Sequence, residues 1–154
     1  MVVLLQRSLE SSVAVEGKTV GKIDFGLTLF VGVFEEDNEE ICDFMARKIS
    51  ALRIFCDEND KMNKSVLDVG GGALVISNFT LCANARKGNR PSYDGAAAPD
   101  RANELYEYFI KKLTENGIQK VEKGIFGADM KVCVENDGPV SIILDSDKIM
   151  PKKI

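Results

Sequence analysis

The chain has 154 residues, 45% of them hydrophobic and 29% charged, and a formal net charge of −4; this is the composition of one folded domain with an ordinary core. It contains no histidine, which excludes Ser-His-Asp and Cys-His catalysis, because imidazole is the usual general base near neutral pH. The acidic balance argues against a broad basic face for duplex nucleic acid and leaves room only for a small local basic patch.

The apolar start, Met1 to Leu5, breaks at Gln6 and Arg7; it is too short for a signal h-region or a membrane span, so a cytoplasmic protein is expected. "VVLLQ" and "SVAVEG" are short, rich in β-branched residues and read as two strands, with a weaker one at "KTVGKI" and another clear one at "LTLFVGVF". Ile41, Met45, Lys48, Ile49 and Leu52 follow helical spacing. "RIFC" is a weak strand signal, whereas "ALVISNFTL" opens on a continuous apolar run and predicts a strand buried on both faces.

A second helix is expected through Ala102, Leu105, Tyr106, Phe109, Ile110 and Leu113. Pro99 and Asp100 mark its start and Asn116-Gly117 its stop, with Lys111-Lys112 where cations favour the helix dipole. "KVCVE" and "VSIIL" complete the strands. Six to eight strands with two helices favour an α+β fold in β/β/α layers, its antiparallel or mixed sheet covered on one face. No linker or repeat divides the chain, so residues 1–146 are read as one domain and 147–154 as a polar, frayed or lightly docked tail. Cys42, Cys56, Cys82 and Cys133 form no C-x-x-C pair; reduced, mostly buried thiols are expected, with no zinc knuckle.

Three segments offer chemistry. In "SNFTL", Ser77, Asn78 and Thr80 are polar where the core pattern stops, either a strand edge whose side chains bond to nearby backbone or the rim of a site. In "ARKGNRPSY", Arg86, Lys87 and Arg90 beside Tyr93 are either solvated surface charge or a grip for a single-stranded nucleic-acid end. "NDGPV", between two strand-like runs, is by composition a turn.

Five segments in one order, "LLQRS", "RIFCDENDKMNKSV", "GGGALVISNFTL", "RKGNRPSY" and "GADMKVCVENDGPV", together resemble the D-aminoacyl-tRNA deacylases over nearly the whole chain. The family's Ser-Gln-x-Thr motif reads Ser77-Asn78-Phe79-Thr80 here, and its Asn-x-Gly-Pro-Val-Thr motif reads Asn136-Asp137-Gly138-Pro139-Val140-Ser141.

The resemblance implies a cytoplasmic homodimer, barrel-like when assembled, that hydrolyses the ester between a D-amino acid and the 3′ end of tRNA, without cofactor, metal or membrane. It also implies a cis Gly138-Pro139 peptide that reaches into the partner's site and rejects L-substrates by its backbone, so that glycyl-tRNA is hydrolysed too, with Arg7 supporting the loop and Asn136 within it. Backbone N–H groups at Phe79 and Thr80 are candidates for an oxyanion hole. Thr80 is either the nucleophile, for which the chain offers no histidine base, or a pocket residue beside a positioned water, the proton then passing through the substrate's ribose 2′-OH. Phe126 and Met130 are walls for the terminal adenine or core residues. A non-catalytic dimer that binds an RNA 3′ end, or a purely structural dimer, is the competing class.

Overall fold

The structure, a computed structural model, describes residues 1–152. Its main sheet has six strands. β1 (Val2–Val15), β2 (Lys18–Ile23), β3 (Gly26–Gly32), β6 (Gly72–Ser77) and β7 (Val121–Lys123) lie in the order β2-β1-β3-β6-β7, and β8 (Lys131–Asp145) pairs with β1. β1 runs antiparallel to β2, β3 and β8, while β3-β6 and β6-β7 are parallel. The sheet is therefore mixed. A side pair joins β4 (Phe55–Cys56) and β5 (Met62–Lys64).

Helices α1 (Glu39–Ala51) and α3 (Pro99–Glu115) cover one sheet face, and each begins where its sequence provides for it. Asn38 caps α1 by accepting from the Ile41 N–H at 3.1 Å, satisfying one of the otherwise unpaired first-turn donors. Pro99 stands at the start of α3, and Asn116 at its end donates from Nδ2 to the Lys112 oxygen at 2.7 Å. Cys42, Met45 and Ile49 of α1 meet Leu105, Phe109 and Leu113 of α3 over Leu5, Leu29 and Val75 of the sheet; burying each large side chain contributes about 1.5–3 kcal/mol. The Tyr106 hydroxyl, also buried there, donates to the Val75 oxygen at 2.7 Å.

Alternation along β6 divides the core in two. Ala73 and Val75 face the helices, whereas Leu74 and Ile76 join Val13 and Ile23 on the opposite face, where Phe30, Met130 and Val132 pack. β6 is thus buried on both faces, as its continuous apolar run predicts. The ends of the strand path meet: a Cβ at Gly21 of β2 would lie 2.6 Å from the main-chain oxygen of Lys123 of β7. Only glycine permits that approach, and the sheet almost closes on itself.

Several expectations change. "VVLLQ" and "SVAVEG" belong to the single strand β1, because Ser8 and Ser11 between them are buried, Ser8 sharing a 3.0 Å hydrogen bond with Thr28. "KVCVE" and "VSIIL" are likewise two halves of β8. The strand in "ALVISNFTL" stops at Ser77, and of "RIFC" only Phe55 and Cys56 pair. Two short helices add to the expected pair among the described residues. In α2 (Val66–Val69), Ser65 and Asp68 form a reciprocal capping box; α4 (Ser146–Ile149) opens the polar tail and sets Ile149 against the main core. The rest of that tail includes residues 153 and 154, which lie outside the described residues. Cys56 and Cys133 are exposed rather than buried, Cys133 being on the outward side of edge strand β8.

Candidate active site

β6 delivers its C-terminal end into a cleft of about 650 Å³. The Asn78 N–H donates to the Val31 oxygen at 2.8 Å, extending the β3 contact by one residue. Asn78 then turns out of strand conformation, and Phe79–Cys82 form a single 3-10 turn. The Leu81 N–H bonds to the Asn78 oxygen at 3.2 Å and the Ala83 N–H to the Thr80 oxygen at 3.1 Å. As the first two residues of the turn, Phe79 and Thr80 have no acceptor within it for their own N–H groups.

The cleft walls are mainly apolar. Phe30 and Ile76 form part of one side, Phe126 and Met130 line the segment before β8, and Ala97 and Ala102 lie at the start of α3. Phe126 packs on the core, its ring 6.1 Å from that of Tyr106, while Met130 packs on the second cluster. Both residues are therefore at once cleft wall and core. Ser77, Asn78 and Thr80 supply the side-chain hydroxyl and amide groups, and Asp129 is the one charged residue of the lining among the described residues, exposed and 3.0 Å from Lys131.

The Thr80 hydroxyl donates to the Asn78 side-chain oxygen. An amide oxygen is too weak a base to take that proton, so this bond orients Thr80 without activating it. Cys82, at the end of the same turn, is buried with its thiol pushed up by burial, and donates to the Val33 oxygen at 3.5 Å. It is a packed thiol rather than a thiolate nucleophile.

The Gly-Pro segment lies elsewhere. Between the pairs Gln6–Ser141 and Ser8–Asn136, β1 advances two positions and β8 five, so residues 137–140 bulge from the ladder. Asn136 closes the bulge: its Oδ1 accepts from the Val140 N–H at 3.0 Å and its Nδ2 donates to Ser141 Oγ at 2.8 Å. Gly138-Pro139 is cis, and Gly138 has φ +135°, a conformation that favours glycine. Arg7 braces the bulge from β1, Nε donating to the Asp137 oxygen at 3.1 Å and Nη1 to the Ile54 oxygen at 2.9 Å. No residue of 136–140 lines the cleft of its own chain.

"ARKGNRPSY" forms a hairpin beside the turn. Asn84 and Ser92 exchange backbone bonds of 2.7 and 2.9 Å, and the Arg86 N–H donates to Asn84 Oδ1 at 3.0 Å. Arg86, Lys87 and Arg90 are exposed and join none of the ion pairs among the described residues. Tyr93 at the hairpin's end packs edge-on against Phe79, with ring centroids 5.0 Å apart.

The structure thus gathers Ser77, Asn78, Phe79, Thr80, Phe126 and Met130 around one cleft, sets the cationic hairpin against it, and places Arg7, Asn136, Gly138 and Pro139 together at a separate position. Sequence reasoning missed Phe30, Ala96, Ala97 and Ala102, which enter the lining through chain topology. The small residues of "GAAAP" after the hairpin were the one available signal that space is left there. No group of histidine, cysteine or acidic side chains among the described residues is placed to hold a metal ion.

The family model described as D-Tyr-tRNA(Tyr) deacylase matches residues 4–145. The chain belongs to this family. It is 53% identical over 146 residues to a D-aminoacyl-tRNA deacylase of Bacillus cytotoxicus, covering 95% of this chain and 99% of that one. It is 51% identical over 145 residues to one of Rhodopirellula baltica, covering 94% and 99%. Among solved structures it is similar to the c-Myc DNA Unwinding Element Binding Protein, with a TM-score of 0.90 and 36% identity over 95% of this chain and 99% of that one. The fold is shared with a probable eukaryotic D-amino acid tRNA deacylase at a TM-score of 0.81 and 16% identity, over 93% and 97%. Family and relatives together make this chain a hydrolase, a deacylase of D-aminoacyl-tRNA.

Proposed function

We propose that the cleft at the end of β6 holds the aminoacyl ester at the 3′ end of tRNA, and that a water positioned there hydrolyses it. The observation that carries this reading is the Phe79–Cys82 turn: it brings two residues whose N–H donors lack partners in the turn into the lining of an apolar cleft. Such donors stabilise the oxyanion of a tetrahedral intermediate, and in a water-poor site they do so strongly. Thr80 shapes the pocket, because its proton is committed to Asn78. With no histidine in the chain, the proton passes through the substrate's own ribose 2′-OH. Phe126 and Met130 wall the terminal adenine, and Arg86, Lys87 and Arg90 hold backbone phosphates behind it.

The gate belongs to a neighbouring subunit. Asn136 stands four strand residues beyond Val132, a cleft residue, and so about 13 Å along β8. A bulge that far from its own cleft, yet exposed and braced by Arg7, is suited to complete the cleft of a second copy in a two-fold homodimer. Backbone carbonyls of Gly138-Pro139 near the substrate's α-carbon exclude an L side chain and leave a D side chain or the hydrogen of glycine untouched. The working form is a cytoplasmic homodimer that needs no cofactor.

The test is turnover of D-Tyr-tRNA and L-Tyr-tRNA under conditions where spontaneous hydrolysis is slow. Ester loss confined to the D-form is expected. Tight binding of the tRNA 3′ end with no D-specific ester loss would replace this reading with a non-catalytic RNA-binding dimer.

A further inference from the structure

We infer that Tyr93 is a positioning residue for the Phe79–Cys82 turn and links it to the cationic hairpin; the inference rests on the proposed reading of the cleft. The turn is held less firmly at its start than at its end. Asn78 at its head makes no side-chain capping bond to the backbone, and the turn is one cycle long and anchored at its far end, where the buried Cys82 donates to the Val33 oxygen at 3.5 Å. Phe79, whose N–H is one of the two open donors, is 60% exposed, so core packing does not fix it.

Tyr93 supplies the missing contact. Its ring, itself 37% exposed, meets that of Phe79 at 71° with centroids 5.0 Å apart, within the edge-to-face geometry that aromatic pairs prefer. Tyr93 follows directly on the Asn84–Ser92 bridge that closes the hairpin, and its main-chain oxygen accepts from the Ala96 N–H at 3.0 Å. One residue therefore joins the base of the cationic hairpin, the catalytic turn and the alanine-lined wall. RNA held by Arg86, Lys87 and Arg90 fixes the hairpin, and through Tyr93 it fixes the direction of the Phe79 and Thr80 donors.

Three variants and two substrates test this. Tyr93→Leu keeps apolar bulk without an aromatic edge, Tyr93→Phe keeps the ring, and a triple Arg86→Ala, Lys87→Ala, Arg90→Ala variant removes the cations. The substrates are D-Tyr-tRNA and the D-tyrosyl 3′ ester of adenosine, which has no phosphate for the hairpin to hold. Tyr93→Leu is expected to lower kcat roughly three- to tenfold on both, the factor that an aromatic pair's contribution corresponds to, with KM little changed and Tyr93→Phe retaining the wild-type rate. The triple variant is expected to raise KM and lower kcat for D-Tyr-tRNA while leaving both unchanged for the adenosine ester. Wild-type kcat in Tyr93→Leu on both substrates, or an equal loss in Tyr93→Phe, would overturn the inference while leaving wild-type D-specific turnover, and with it the reading of the cleft, intact. Absence of wild-type turnover would overturn both.

Discussion

Arg7 and Asp137, facing each other across β1 and β8, are joined at 3.1 Å from Nε to the main-chain oxygen, while the same guanidinium holds the Ile54 oxygen at 2.9 Å. Two carbonyls from distant segments thus share one planar donor group, only 12% exposed. The additional approach to the Asp137 carboxylate, at 3.5 Å with that side chain 48% exposed, adds little in solvent. The backbone bonds carry the relationship.

Arg7→Lys should therefore behave as a damaging substitution, because an ammonium on a flexible stem cannot span both oxygens. A loss of about 1–3 kcal/mol is expected, chiefly from the part-buried Ile54 oxygen left without its charged donor, read as a lower urea midpoint. If the bulge is the gate, the ratio of D-Tyr-tRNA to L-Tyr-tRNA turnover should fall as well. Unchanged values of both would remove Arg7 from the site.

Thr80→Val replaces the hydroxyl while keeping its shape. A pocket residue should lose less than about a hundredfold in kcat, whereas removal of a nucleophile costs at least about a thousandfold. Single-turnover rates decide between the two, and trapping of an acyl-Thr80 intermediate would reverse the assignment.

Complementation tests the shared site. Gly138→Ala, in a backbone conformation that alanine resists, and Met130→Trp, which fills the cleft, should each be inactive alone. Refolding them together should restore roughly a quarter of wild-type activity, since about half the dimers are mixed and each has one intact site. No recovery in mixtures shown by sedimentation to contain dimers would place gate and cleft in the same subunit.

Glycine separates exclusion from grip. An enzyme that held a D side chain would lose binding energy on glycine; a gate that only bars the L side chain would admit it. Gly-tRNA should be hydrolysed at a rate nearer to that of D-Tyr-tRNA than to that of L-Tyr-tRNA, and sparing of Gly-tRNA while D-Tyr-tRNA is cleaved would rule out simple steric rejection.

Stability should decline on the alkaline side. Burial, with the carboxylate of Asp37 nearby, raises the Cys42 thiol from its ordinary 9.0 to about 12, so the folded state holds this proton more tightly than the unfolded state does. Its contribution is complete below pH 9.0 and is lost as pH rises towards 12. Tyr106, raised by burial, acts in the same direction above its ordinary 10.0. Thermal scans should show Tm falling above pH 9.0 in the wild type and less steeply in Cys42→Ala.

Periodicity and caps made α3 legible almost residue by residue, while Lys18–Ile23, only a weak strand signal in the sequence, is a strand along its whole length. The continuity of β1 was hidden because Ser8 and Ser11 look like a break, yet their hydroxyls are buried within the sheet. Parallel pairing of β6 with β3 and β7 depends on what lies next to what after folding, which no local pattern encodes. In the cleft, the polar residues and the two walls before β8 were visible because they break the core pattern or carry the family motifs. The alanines were silent because they contribute only by being small.

β8 has a double assignment. Its first turn-out from the loop sets Met130 and Val132 against the cleft of its own chain, and its middle pushes Gly138-Pro139 outward. If the bulge is the gate, binding and screening are two stations on one strand, a fixed number of residues apart. An inserted or deleted residue between them would reverse which side chains face inward and would displace the bulge relative to the pocket, whereas the cationic hairpin lies outside this strand. On the proposed reading, the grip on RNA is open to gradual adjustment, but the spacing that would judge handedness is not.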